Sequence, residues 1–189
     1  MQNQGPEGCY YAVTDYGSMW RRVFVLLVDA TIVLVALVLM LVVAGLLGLG
    51  DEESVVVALA ATFLLIYLYF IELERSRVRT VGLRLARLEV VDLNGHKPSR
   101  ADMIARMVTA WLGPGNVLVD LFWIPSEPNR QALRDKFAGI YVIKKGAAPA
   151  GRGRVRYVRY FFFGMNWAFR EVSRPPTEAS PKRVRHPGT

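Results

Sequence analysis

The 189-residue chain is 52% hydrophobic with a mean hydropathy of +0.24, yet it carries 24 Lys and Arg against 16 Asp and Glu, a net charge of +8. Its single cysteine excludes an intrachain disulfide, and its two histidines, His96 and His186, lack the clustered partners that metal ligation needs. Apolar and basic residues are segregated, with no Lys or Arg from 23 to 74 and 22 of the 24 at or beyond Arg75 against eight acids; nucleic acid is one partner for such a surplus, but blocks of this kind favour the charge bias of a membrane protein.

A polar segment, 1–18, precedes the first apolar block. Residues 23–47 form a run of 25 interrupted only by Asp29 and Thr31. As a helix it is about 37 Å long against a hydrocarbon core of about 30 Å. An Asp at the helix centre costs about 2.5–3.5 kcal/mol, whereas each of some eighteen Leu, Ile, Val and Phe returns roughly 0.3–0.6 kcal/mol. Insertion therefore survives the acid. SMWRRVF carries part of a twin-arginine signal, but the run is too long for a signal peptide and no small-residue cleavage site follows it. A second run, VVVALAATFLLIYLYFI at 55–71, closes on an aromatic belt of Tyr67, Tyr69 and Phe70. Arg21 and Arg22 precede the first span, Asp51, Glu52 and Glu53 lie between the two, and Arg75, Arg77, Arg79, Arg84 and Arg87 follow the second. Both termini are therefore expected on the cytoplasmic side.

From Thr80 the period changes. TVGLRLARLEVVDLNGHKPS reads as a short basic helix or turn, an extended LEVV, and a turn at Asn94 and Gly95. Ser99 with Asp102 forms a capping box that starts a helix near residue 100, and Gly113, Pro114 and Gly115 end it. A second apolar piece, NVLVDLFWI, follows. Read as one third span, the pair would carry every charge from Arg130 onward outside, so two short re-entrant or interfacial helices are expected, packed on the spans. NRQALRDKFAG predicts a helix from about Asn129 to Gly139, and IYVI a strand that could pair with LEVV. Cations interleave with aromatic residues in RVRYVRYFFFGMNWAFREV, which is expected to be an interfacial helix. Residues 175–189 are Pro-rich, basic and expected to be disordered. The resulting fold class is α-helical transmembrane, with two spans, broken re-entrant or interfacial helices and a small two-stranded β element. The segments are 1–18, a membrane domain at 19–145, a basic aromatic interfacial segment at 146–174, and the tail.

Three features in this order resemble the RDD family of small bacterial membrane domains. WRRVFVLLVDA supplies an arginine heading the first span, Arg22, and an aspartate within it, Asp29. RQALRDKFAG supplies the second aspartate, Asp135. TVGLRLARLEVVDLNGHKPS is similar to the family's intervening segment, although a Leu stands where a basic residue is usual before Arg84. The likeness runs over about residues 16 to 145. It implies a bacterial inner-membrane protein and a role in transport.

Arg22 and Asp29 are seven residues apart and share a helix face. Arg22 can snorkel toward lipid phosphates, which leaves Asp29 without a partner in its own helix. A buried carboxylate must then neutralise itself, line water or meet a cation from elsewhere. Arg106 is the first candidate, then Arg84 and Arg79. Asp29 reads either as a proton or cation site or as a packing pin. Asp135 is expected at the cytoplasmic interface within reach of Arg22 or Arg84, docking the late helix. Asp120, Glu72 and Glu74 read as exposed acids, and Ser99 as a cap. No phosphate-binding loop, HExxH or nucleophile elbow is present, so neither catalysis nor a cofactor or metal is expected. Two helices enclose no pore, so transport requires several copies or a partner membrane protein. Ala44 with Gly48, and Ala58 with Thr62, offer small-residue contact faces. Anionic lipid at the cytoplasmic face is the other expected partner, and nucleic acid is not.

Overall fold

The computed structural model describes residues 6–48, 52–111, 120, 123–124, 129–162 and 165–174. The expected disordered tail, residues 112–119 and most of the second apolar piece fall outside these. Strand β1 (Glu7–Tyr10) and a 3-10 turn (Val13–Asp15) lead into helix α1 (Met19–Leu46). Nothing in α1 breaks a helix before Gly45, and the chain turns out at Gly48, whose φ of 68° suits a residue without Cβ. Helix α2 (Glu52–Tyr67) continues into a π-helical turn, Leu68–Leu73, where the Glu74 amide reaches back five residues to the Tyr69 carbonyl at 3.3 Å. Both helices are long and apolar enough to cross a membrane, over Met19–Leu46 and Ser54–Leu73. Their outer lengths are exposed, with Leu34, Leu39, Leu46, Val57 and Phe63 all more than half accessible. Such surface is stable in lipid, not in water.

The other elements gather at one end of the helix pair, around the head of α1 and the foot of the π turn. Thr80 caps the short helix α3 (Val81–Leu85), accepting from the Leu83 amide at 3.4 Å. Ser99 and Asp102 form the reciprocal capping box of α4 (Arg100–Trp111), with bonds of 3.0 and 3.1 Å. Strand β2 (Leu88–Asp92) pairs antiparallel with β3 (Ile140–Lys144), Val90 opposite Val142, as LEVV and IYVI suggest. This ribbon is apolar on both faces because both are covered. Leu88, Val90, Ile140 and Val142 pack with Ile71, Leu83 and Met103 on the helix side. Val91, Tyr141 and Ile143 pack with Tyr10, Tyr11 and Tyr16 on the other.

Three expectations are corrected. The late helix, α5, is short, Leu133–Ala138, because the residues before it are held out of helical geometry, Arg130 at a φ of 45° and Ala132 extended, with Gln131 bonded to the Ile140 carbonyl at 2.8 Å. The interfacial segment 146–174 is not a helix. It forms strands β4 (Gly151–Phe162) and β5 (Met165–Val172), an antiparallel hairpin. Arg152, Arg154 and Arg156 alternate with Gly153, Val155 and Tyr157, a period of two that no helix can sort onto faces. The polar N-terminal segment supplies β1, which adds to β4, so a three-stranded sheet in the order β1-β4-β5 joins the small two-stranded element.

Candidate functional site

Asp29 lies about 15 Å along α1 from Met19, in the first half of the helix and not at its centre. It is 3% exposed, although Trp20, Phe24 and Leu27 on the opposite side of the same stretch face outward. None of the arginines proposed for it is its partner. One carboxylate oxygen accepts from the Tyr69 hydroxyl at 2.7 Å and the Gly82 amide at 2.8 Å, and the other from the Thr80 hydroxyl at 2.8 Å. The acid is thus solvated by two hydroxyls and a backbone amide instead of a cation, which is the alternative way to bury a carboxylate. Gly82 permits this: a Cβ there would lie 2.7 Å from the Val25 carbonyl and 2.9 Å from the Asp29 carboxylate. The π turn aims Tyr69 from the other side.

Two turns below, charges are paired in a chain. Arg22 does not snorkel outward. Its guanidinium donates to the Gly17 carbonyl at 3.1 Å and the Arg130 carbonyl at 2.8 Å, and pairs with Asp135. Asp135 also accepts from Arg106 at 2.9 Å, and Arg106 pairs in turn with Glu74. Burial alone would raise the Asp135 carboxyl, but Arg106 and Arg22, with Arg134 nearby, hold it down at about 2. Burial opposes the charge on Arg106 as well, and Glu74 and Asp135 overcome it, so its acidity is weakened further. The Arg130 φ of 45° turns its carbonyl to Arg22, strain set against a charge-assisted bond. Asp120 is buried, not exposed as its sequence context suggests. It accepts from the Leu133 amide at 2.7 Å and pairs with Arg134 at 3.2 Å, and burial raises its carboxyl.

Both groups face one cavity of about 350 Å³. Arg22, Asp29, Glu74, Arg106 and Arg134 give it a polar side, and Val33, Ile66 and Phe70 carry its apolar wall up the two long helices. The structure therefore brings together Arg22, Asp135 and Arg106 directly, and Asp29 through the cavity. Arg84 is exposed on α3 and takes no part, and Arg79 donates to the Leu88 carbonyl at 3.0 Å. Glu74, read from sequence as an exposed acid, is largely buried, and Tyr69, read as part of an aromatic belt, bonds Asp29; Thr80 and Gly82 were not singled out as site residues. Thr80 and Gly82 in TVGLRL carried the available signal, a capping hydroxyl followed by a residue without Cβ. Among the described residues no group of three or more His, Cys, Asp and Glu is disposed to hold a metal ion.

Compared with known proteins, residues 16–139 match the model of the RDD family. No curated protein and no solved structure matches the chain. The matched span contains Arg22, Asp29, Arg106, Asp120 and Asp135, and it ends before the β4–β5 hairpin.

Proposed function

The chain belongs to the RDD family, and on that premise we propose that it is a two-span protein of the bacterial inner membrane, termini cytoplasmic, in which an assembly of copies moves an ion or small solute through the polar centre at Asp29. One observation carries this reading: a single cavity joins the buried Asp29 to the Arg22, Arg106 and Glu74 side chains and is walled by residues of both long helices. Ionisable groups at such depth are costly to keep and mark solute or proton routes in membrane proteins. The two helices enclose no channel by themselves, so the path requires neighbouring copies or a partner membrane protein.

A second reading, a non-catalytic membrane scaffold, is favoured by the saturation of Asp29 by Tyr69, Thr80 and Gly82, which makes it a pin between α1, the π turn and α3. Asp29→Asn separates the two. The amide keeps the shape, can still accept at its oxygen and cannot titrate. Proteoliposome flux of protons and alkali cations should fall at least ten-fold while the oligomer and its melting temperature hold nearly steady. Unchanged flux with a weaker assembly or lower stability would leave the scaffold reading.

A further inference from the structure

The β4–β5 hairpin lies outside the family match and outside the cavity. It carries five arginines against one glutamate over 151–172. Its base is anchored: Val172 and, partly buried, Val155 pack into the tyrosine core, and Phe169 stacks edge-on against Phe137 of α5 at 4.8 Å between ring centres. Trp167 meets the same Phe137 ring at 5.1 Å. Strand register then sorts the remaining residues. Tyr157, Arg159 and Phe161 point to the same side, opposite Arg170, Ala168 and Asn166 of β5, and all six are exposed. Tyr157 is 74% and Phe161 72% accessible, large rings left in water beside an arginine.

We propose that this side of the hairpin is a docking surface for the anionic headgroups of the bilayer that the two long helices enter. The proposal rests on the membrane reading of the chain but not on transport. The position supports it. Arg22 heads α1 at the membrane entry, its partner Asp135 belongs to α5, and Phe137 on that helix carries β5, so one helix, about 10 Å across, separates the hairpin from the entry point. The composition supports it too. Arginines attract acidic headgroups while tyrosine and phenylalanine rings settle at the headgroup level. Arg152, Arg154 and Arg156 alternate to the other side, and a second copy of this face is a poor occupant, since Arg159 and Arg170, the latter 3.9 Å from Asp102, would meet their like. Single-stranded nucleic acid has the right chemistry, stacking plus cations, but nothing holds it beside the chain as the spans hold lipid.

The full chain in nanodiscs, with a nitroxide at Ala168→Cys, tests this, since the native Cys9 is buried. In discs of phosphatidylcholine with about 30% phosphatidylglycerol, accessibility to a water-soluble relaxation agent should fall several-fold relative to phosphatidylcholine alone. It should return in about 1 M salt, where screening shortens to about 3 Å. The exposed double substitution Arg159→Glu with Tyr157→Ser should abolish the difference, with hairpin amide protection retained. Equal accessibility in both lipids overturns the proposal, as does protection by a single-stranded oligonucleotide in neutral discs with none from the acidic lipid. Insertion into the disc is read separately, so failure of docking and failure of the membrane reading are distinguishable.

Discussion

Asp135 has no exposed surface and is shared by two guanidiniums, one from α1 and one from α4. Removing its charge leaves the buried Arg22 without a counter-charge and Arg106 with Glu74 alone, and Asp135→Asn should cost about 3–5 kcal/mol, the range for breaking a buried pair from one side. The same residue sets a pH dependence. Its folded value of about 2 lies below the ordinary 3.8, so its stabilisation is complete above about pH 4 and declines as pH falls toward 2. By pH 3 roughly 1 kcal/mol should be gone from the unfolding free energy measured in detergent. The Asp135→Asn protein should lack that component of the decline. Asp29 was legible as a candidate because it is a charge in an apolar run, and Arg22 and Asp135 through the order of motifs that resembles the family. Their pairing was legible only in part. Glu74 looked solvated because Arg75, Arg77 and Arg79 follow it at once, while its partner Arg106 is 32 positions away. Asp29 was expected to need a cation because the hydroxyls that solvate it, Tyr69 and Thr80, lie 40 and 51 residues along the chain.

Among the elements, the spans, the α4 capping box and the β2–β3 pair were legible because each is written locally: an unbroken apolar run, Ser99 with Asp102, two apolar runs of strand length. The π turn was not, since it is the tertiary demand of aiming Tyr69 at Asp29 that displaces an ordinary helical turn. The hairpin was misread because its cation and aromatic content was weighed above its alternation at Arg152, Arg154 and Arg156. Its closure depends on glycine at a close approach. A Cβ on Gly153 would lie 1.9 Å from the Ser173 carbonyl, a backbone atom that cannot swing aside, beside the bond from the Ser173 amide to the Arg154 carbonyl at 2.9 Å. Gly153→Ala should therefore open the base of β4–β5 and weaken its pairing with β1. Hydrogen exchange should report it as loss of amide protection, by ten-fold or more, confined to β1 and the hairpin base. Unchanged protection there would mean that β5 is not closed as described. The β2–β3 ribbon, buried between two cores, should remain protected.

For the molecule as a whole, one asymmetry bears on the proposed orientation. Each of the two long helices is only 6% buried over its apolar window, so nearly all of that surface is open to lipid or other copies, while the other described elements lie at the end where α1 begins and the π turn finishes. That end also holds Arg21, Arg22, Arg75, Arg77, Arg79, Arg84 and Arg87, whereas the other end of the pair is acidic at Glu52 and Glu53, where α2 begins. In the proposed topology the arginine end faces the cytoplasm, since basic residues near the span ends resist translocation. The arrangement also explains where Asp29 can be tolerated. The part of α1 beyond it, Ala30 to Leu46, is about 24 Å long, so in the proposed topology the acid, wrapped by α3 and the π turn, would lie near the inner edge of the hydrocarbon instead of at the midplane. Lys145, exposed in the turn after β3, reports the orientation directly. In intact cells the Lys145→Cys protein should resist a membrane-impermeant maleimide and become labelled after permeabilisation, with the buried Cys9 giving little background. Labelling in intact cells would invert the molecule. The cavity and the hairpin would then open to the periplasm, and the anionic cytoplasmic leaflet could not be the surface on which Arg159 and its flanking rings rest.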